Sequence, residues 1–86
     1  MKVGDWIVGQ MENRNWTYPG KVMAVNDQYV VFEIQDVGGA YEIHRHPEDV
    51  RAATKQDFDR QILDLSRDLV SGEALISTLE GIQKDV

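Results

Sequence analysis

Short runs of alternating hydrophobic and polar residues fill the first half of the chain. Between Tyr29 and Ile34, the hydrophobic residues Val30, Phe32 and Ile34 occupy every second position, which is the period of a strand with one buried face. Turn-forming residues separate such runs at 13–15, 18–20, 26–28 and 38–39. The pattern predicts strands over residues 5–8, 21–25, 29–34, 40–45 and 50–53.

The predicted strands are short and close together in sequence, which favours a small closed β-barrel. Closure pairs the edge strands with each other and so removes unpaired backbone edges. Pro47 cannot donate a hydrogen bond to the sheet, so we expect the chain to leave the sheet there before a short closing strand. We expect residues 1–53 to form the five-stranded barrel and residues 54–86 to form a helical tail, a mainly β fold with added α structure.

The hydrophobic period changes after residue 53. Thr54 followed by Asp57 is typical of a helix N-terminus, where a hydroxyl and an acid three residues later cap backbone N–H groups. Large hydrophobic residues then recur at helical spacing, at Phe58, Ile62, Leu65, Leu69, Leu75, Leu79 and Ile82. Ser71 and Gly72 interrupt this stripe, so the tail is predicted to be either one kinked helix or a helical hairpin.

The hydrophobic stripe of the tail needs a cover, because an isolated helix of this length is only marginally stable in water. Three covers are compatible with the sequence: docking on the barrel, self-association as a homodimer, and insertion into a groove of a partner protein. The residues of the stripe are therefore candidates for self-association or docking.

Length and composition exclude several classes of protein function. The chain has 86 residues, a formal net charge of −6 and no cysteine, which excludes a multidomain enzyme, a disulfide framework and thiolate sites. No hydrophobic run is long enough to span a membrane, and the first residues lack the apolar stretch of a signal peptide, so we expect a cytoplasmic protein without a membrane partner. The negative charge disfavours nucleic acid, whose binding depends on neutralising phosphates.

No combination of residues indicates catalysis or a cofactor. The serines all lie in the predicted tail, without an accompanying base and orienting acid, and Gly38-Gly39 lacks the lysine and helix of a phosphate-binding loop. His44 and His46 share one face of a predicted strand, but two histidines without further ligands make a poor metal site. We therefore expect a non-enzymatic protein with no catalytic residues, no metal and no cofactor.

Aromatic residues are the strongest candidates for partner contacts. Tryptophan and tyrosine dominate protein interfaces because they bury large areas with little loss of conformational entropy. Trp16 and Tyr18 lie in a predicted loop, and Tyr41 lies near the start of the fourth predicted strand. We expect these three residues to form a partner-binding rim on the barrel, whereas Trp6, next to Ile7 in the first strand, is expected in the core.

Four segments follow one another in an order and spacing typical of one group of small barrels. They are a Gly-Asp-hydrophobic opening at 4–9, aromatic residues before a valine strand at 16–22, an alternating strand ending in Asp-Val-Gly at 30–38, and a closing Val-Arg pair at 50–51. Over residues 3–53 the chain thus resembles the Tudor-like branch of the SH3-like barrels. The resemblance implies a five-stranded barrel with a short helical turn before its last strand.

Members of this family that recognise methylated lysine or arginine do so with a cage of aromatic rings, through cation–π attraction. At the matching positions this chain has Met11, Ile34 and Val37, and Tyr18 alone is aromatic. The resemblance therefore implies the barrel without a methyl-mark reader, since the aromatic cage is largely absent.

These features lead us to expect a non-catalytic protein–protein interaction module, a small acidic regulator or inhibitor of the type that bacterial viruses also encode. The alternative is a nucleic-acid-associated barrel that stacks single strands on its aromatic rings. Its local basic rim would comprise Lys2, Arg14, Lys21, Arg45 and Arg51. Binding of that kind weakens steeply with ionic strength, which distinguishes it from an apolar protein interface.

Overall fold

A computed structural model describes residues 1–67 and 72–86 and contains a five-stranded antiparallel sheet followed by two helices. The strands are β1 (Trp6–Gly9), β2 (Gly20–Val25), β3 (Val30–Asp36), β4 (Gly39–Arg45) and β5 (Val50–Ala52). A 3₁₀ turn at Pro47–Asp49 precedes β5, and the helices are α1 (Lys55–Arg67) and α2 (Glu73–Gln83). The predicted sheet strands and the helical nature of the tail are confirmed.

The strands lie in the order β4-β3-β2-β1-β5, so that the last strand returns to pair with the first. In a flat sheet β4 would lie roughly 14 Å from β1, three strand spacings away. Arg45 at the end of β4 nevertheless donates from Nε to the carbonyl oxygen of Gln10, just after β1, at 2.9 Å. The sheet is therefore strongly curled, and a register shift in β2 between Val22 and Ala24 adds local twist.

The inner face of the curled sheet holds the first hydrophobic core. Val30, Phe32 and Ile34, the alternating residues of β3, are all 0% exposed. They pack with Ile7 and Val22. Every second side chain of a strand points to the same face, so the sequence alternation placed these three residues in the core correctly.

The opposite face of β1 is covered by the helices. Val8 follows Ile7 and so points the other way, yet it is also fully buried, because it packs with Ala53, Phe58 and Leu79. Trp6 is half-buried and meets Phe58 edge to face, with ring centroids 5.7 Å apart. The tail thus docks on the sheet and forms a second core with it.

The helices form a hairpin, one of the two predicted arrangements of the tail. Near the C-terminal end of α2, Gln83 Nε2 donates to the carbonyl oxygen of Lys55 at 2.8 Å and to Asp59 Oδ1 at 2.7 Å. Both acceptors lie in the N-terminal part of α1, so the helices run in opposite directions. Neither helix is long and apolar enough to cross a membrane, within the part of the chain that the structure describes.

The start of α1 has the predicted capping arrangement. The backbone N–H of Thr54 donates to Asp57 Oδ2 at 2.8 Å, and the Thr54 hydroxyl donates to the same oxygen at 3.0 Å. The acid three residues after the cap thus satisfies a backbone donor that the helix itself leaves unpaired.

Candidate partner-binding site

Trp16, Tyr18 and Tyr41, the predicted rim aromatics, line one open pocket of about 370 Å³. We call it the rim pocket; its other lining residues are Met11, Thr17, Ile43 and Arg60. Tyr41 is brought to the pocket by β4, where it pairs with Ile34 of β3. Residues far apart in sequence are therefore joined into one concave surface that contains three aromatic rings.

The loop between β1 and β2 is fixed by its own hydrogen bonds. The backbone N–H of Met11 donates to the carbonyl oxygen of Asn15 at 2.7 Å, and Arg14 adopts a left-handed conformation with φ 66°. Beyond this turn the Thr17 hydroxyl, which is buried, accepts from the N–H of Gly9 at 2.9 Å. Trp16 and Tyr18, on either side of Thr17, are consequently held against the sheet.

Arg60 of α1 joins the helix to this loop. One terminal nitrogen, Nη2, donates to the carbonyl oxygens of Trp16 at 2.8 Å and of Thr17 at 2.6 Å. Its guanidinium carbon lies 4.9 Å from the centroid of the Tyr18 ring, within the range of a cation–π contact. The docking of the helix therefore also positions two of the three rim aromatics.

Tyr18 is further oriented by Asp64, which accepts a hydrogen bond from the tyrosine hydroxyl. Burial and this hydrogen bond raise the pKa of Tyr18 to about 12. The phenol therefore keeps its proton at neutral pH and acts as a donor. Burial, followed by the charge of Asp36, also raises the pKa of Tyr41.

Trp16 rests on an ion pair at the start of α1. Arg51 Nη1 lies 2.8 Å from Asp57 Oδ2, and its guanidinium carbon is 4.5 Å from the centroid of the Trp16 ring. Burial works to raise the pKa of the Asp57 carboxyl, but hydrogen bonds from Arg51 and Thr54 outweigh it and lower the pKa. The same carboxylate thus caps the helix and fixes the cation under Trp16.

A second, smaller pocket lies beside the rim pocket, and Tyr18 lines both. It encloses about 190 Å³, and we call it the acceptor pocket; it is lined by Tyr18, Asp36, Val37, Gln61, Asp64 and Leu65. Gln61 is only 2% exposed, and its Nε2 donates to the carbonyl oxygen of Gln35 at 2.8 Å. Its Oε1 has no hydrogen-bond partner among the described residues, a situation that costs about 1–3 kcal/mol when no water or ligand supplies a donor.

The structure places the tail candidates on the face of the helices that packs on the sheet. Phe58 and Leu79 are fully buried. The half-buried candidates, which pack around them, are Ile62, Leu65, Leu75 and Ile82. Leu69 lies outside the described residues. Leu63, which lies off this stripe, is 51% exposed.

The two histidines have separate surroundings. His44 Nε2 lies 3.7 Å from Glu42 Oε2, whereas His46 stacks on Tyr29 with ring centroids 5.2 Å apart. The Nδ1 atom of His46 is within hydrogen-bond distance of the Gln28 carbonyl oxygen, at 3.1 Å. In residues 1–67 and 72–86, no group of three or more histidines and acids is arranged to hold a metal ion.

Several lining residues of the two pockets are not candidates in the sequence analysis, among them Met11, Ile43, Arg60 and Gln61. The sequence analysis names Met11 only as a non-aromatic cage position, and Ile43 falls within the fourth predicted strand without a further role. Nothing in the sequence around either residue indicates a pocket. Arg60 and Gln61 are polar residues of a helix, where the ordinary expectation is a solvated face. Their roles depend on how α1 lies on the sheet, which local sequence does not encode.

No protein-family model matches the chain, and comparisons with curated proteins and with solved structures find no match.

Proposed function

We propose that the protein is a non-catalytic interaction module, a small acidic cytoplasmic regulator or inhibitor that binds a partner protein through the rim pocket. One observation carries the proposal: the three aromatic residues selected from the sequence converge on one open pocket. Tyr41 and Met11 at its edge are each 43% exposed, so large apolar side chains face solvent there. Exposed aromatic residues around a pre-formed pocket are typical of protein hot spots.

We also propose that the curled sheet is an SH3-like barrel of the Tudor-like type. The strand order, with β5 beside β1, and the 3₁₀ turn at Pro47–Asp49 support this assignment. So does the contact between Arg45 and Gln10 across the curled sheet. Ile34, at one of the positions that match the aromatic cage, is 0% exposed and belongs to the core. A cage for methylated side chains is therefore disfavoured.

The nucleic-acid alternative requires a basic rim whose side chains are free to meet phosphates. Two of its candidates have internal partners. Arg51 is bound to Asp57, and Arg45 donates to the carbonyl oxygens of Gln10 and His44. Together with the net charge of −6, these contacts favour a protein partner.

The test is affinity capture from an extract of the cells that make the protein, with Tyr41→Ala and Tyr29→Ala as matched variants. Both tyrosines are about equally exposed, at 43% and 48%, but Tyr29 lies outside the rim pocket. We expect Tyr41→Ala to reduce recovery of a specific protein at least tenfold, the effect of losing ~1.4 kcal/mol of binding free energy. Tyr29→Ala should retain it.

Equal recovery by the two variants would reject the rim pocket as the binding site. The nucleic-acid alternative is tested by titrating the protein with a labelled oligothymidylate. Binding of this strand that falls steeply with salt and is lost in Tyr41→Ala would replace the protein-binding proposal by the nucleic-acid one.

A further inference from the structure

One edge of the sheet is long and open. In the strand order β4-β3-β2-β1-β5, the strands β4 and β5 each have a neighbour on one side only. β5 has three residues and offers few pairing groups, whereas β4 has seven, of which Gly39–Glu42 are all exposed and none is proline. An exposed edge of this kind presents unpaired backbone groups to which another strand can pair.

The hairpin between β3 and β4 determines which backbone groups of β4 point away from the sheet. Its loop has two residues, so the pair that closes it, Asp36 and Gly39, is hydrogen-bonded. Bonded and non-bonded pairs alternate along antiparallel strands. Every second residue from Gly39 onward therefore bonds to β3, and the backbone groups of Ala40, Glu42 and His44 point outward.

Two hydrogen bonds agree with this pattern. Gln35 lies opposite Ala40, and its carbonyl oxygen accepts from a side chain of α1 at 2.8 Å, away from β4. The carbonyl oxygen of His44 accepts from Arg45 Nη1 at 2.8 Å, so that Arg45 covers the C-terminal end of the edge. Among the described residues, Ala40 and Glu42 have no backbone hydrogen-bond partner on their outward side.

The open part of this edge lies beside the rim pocket. Tyr41 and Ile43 both line the pocket, and they are two residues apart on one face of β4. A strand added to β4 would run ~4.8 Å from it, with alternate side chains on that face and the others beside Glu42 on the opposite face. One extended segment can therefore pair with the edge and fill the rim pocket.

Glu42 determines which side chains are favoured on the opposite face. It pairs directly with Glu33 of β3, a position at which like charges are destabilising, and its side chain is 62% exposed. A lysine or arginine on an added strand would give Glu42 a cross-strand partner of opposite charge. A second copy of the chain, paired about Glu42, would instead bring two glutamates together, so the charge favours a basic segment over self-pairing.

We propose that β4 binds an extended segment of the partner protein as an additional antiparallel strand, in which apolar residues that enter the rim pocket alternate with lysine or arginine beside Glu42. Backbone hydrogen bonds to Ala40 and Glu42 supply affinity, and the alternating side chains supply specificity. Antiparallel addition continues the pairing of the sheet, and the net charge of −6 favours the approach of a basic segment. By naming the segment that the rim pocket receives, this inference rests on the proposed function.

The test uses the peptide acetyl-Lys-Leu-Lys-Leu-Lys-amide and two derivatives, one N-methylated at every lysine amide and one at both leucine amides. Directly opposite residues of an antiparallel pair share a face, so the lysines beside Glu42 also exchange backbone hydrogen bonds with β4, and the leucine N–H groups point away. We expect methylation of the lysine amides to weaken binding about tenfold or more, and methylation of the leucine amides to leave it within about twofold.

Binding is followed through the backbone amide signals of Ala40 and Glu42 in the ¹⁵N-labelled full chain. The peptide is added to ~10 mM, at which a Kd of ~1 mM gives about 90% occupancy. We expect both signals to shift with saturation as their N–H groups gain acceptors.

Two variants test the position of the added strand. Glu42→Lys reverses the charge beside it, whereas Glu80→Lys makes the same change of net charge at an exposed position of α2. We expect Glu42→Lys to bind the lysine peptide about fivefold more weakly and to prefer the same peptide with glutamate in place of lysine. Glu80→Lys should retain the affinity of the wild type.

Four outcomes would overturn the proposal. They are the absence of a saturable shift at Ala40 and Glu42, equal affinity of the two methylated peptides, equal affinity of the two variants, and amide shifts that follow protein concentration without peptide, which would assign the edge to a second copy. The proposed function is judged separately, by partner capture with Tyr41→Ala. Capture that depends on Tyr41, together with equal binding of the methylated peptides, would reject this inference alone. A clear difference between those peptides, together with capture independent of Tyr41, would reject the rim pocket alone.

Discussion

Gly20 of β2 lies where the backbone passes directly over the aromatic core. A Cβ atom at this position would lie 2.5 Å from Phe32 Cδ2 and 3.0 Å from the carbonyl oxygen of Glu33. Gly20→Ala should therefore lower the free energy of unfolding by about 1–3 kcal/mol, because the core must shift to admit one methyl group. The measurement is the urea midpoint at constant m-value.

Gly81 in α2 provides the matched control. Nothing lies within 4 Å of a Cβ atom built there, so Gly81→Ala should raise the free energy of unfolding by about 0.5–1 kcal/mol through helix propensity alone. A Gly20→Ala protein as stable as the wild type would show that the packing of Phe32 against β2 is not as tight as described.

For single residues, the sequence predicts burial correctly where the hydrophobic period of one strand determines it. It fails where burial depends on the contact between two elements. Val30, Phe32 and Ile34 follow from alternation and are fully buried. Gln61 is also fully buried, although it is a polar residue in a helix. Its burial results from the approach of α1 to the end of β3, and no local pattern of the helix contains that contact.

At the scale of elements, the start of α1 combines a cap with an ion pair and so predicts a pH dependence. Asp57 has a pKa below its ordinary value of 3.8 in the folded chain, whereas in the unfolded chain the ordinary value applies. Its stabilising contribution is thus present above about pH 4 and is lost as the pH falls through the folded pKa, where the unfolded chain binds the proton first.

Asp57→Asn should accordingly reduce stability by about 1–2 kcal/mol at pH 7, because the cap and the charge-assisted hydrogen bond are weakened. The difference from the wild type should shrink below about pH 4, as measured by thermal melts from pH 7 to pH 2.5. Asp27→Asn, which changes the charge away from this network, should show no such gap. A difference that stays constant across this range would contradict the assigned role of the carboxylate.

The sequence predicted the elements well, but not how the helices meet. Thr54 and Asp57 identified the start of α1 because capping is local chemistry. The choice between a kinked helix and a hairpin depended on contacts between the helices, such as that of Gln83 with Lys55 and Asp59. Those residues are more than twenty positions apart, beyond the range of any local signal.

For the whole molecule, the first strand explains why the tail docks on the sheet. Ile7 and Val8 are adjacent hydrophobic residues and therefore point to opposite faces of β1, yet both are buried. Such a pair is the sequence signal for a strand covered on both sides. It indicates a cover for the outer face but does not identify it. In the structure Phe58 and Leu79 of the tail pack against Val8.

Because the hydrophobic stripe of the tail packs on the sheet, we expect the protein to be a monomer in solution. Because Phe58 and Leu79 are already fully buried within one chain, little of the stripe remains for a homodimer. Light scattering over a hundredfold concentration range should give a constant mass near 9.8 kDa. A mass that rises toward twice this value would mean that another surface associates, and Leu63, 51% exposed on α1, is the first residue to examine. If Leu63→Glu then restored the monomer, the outer face of α1 would be the dimer interface.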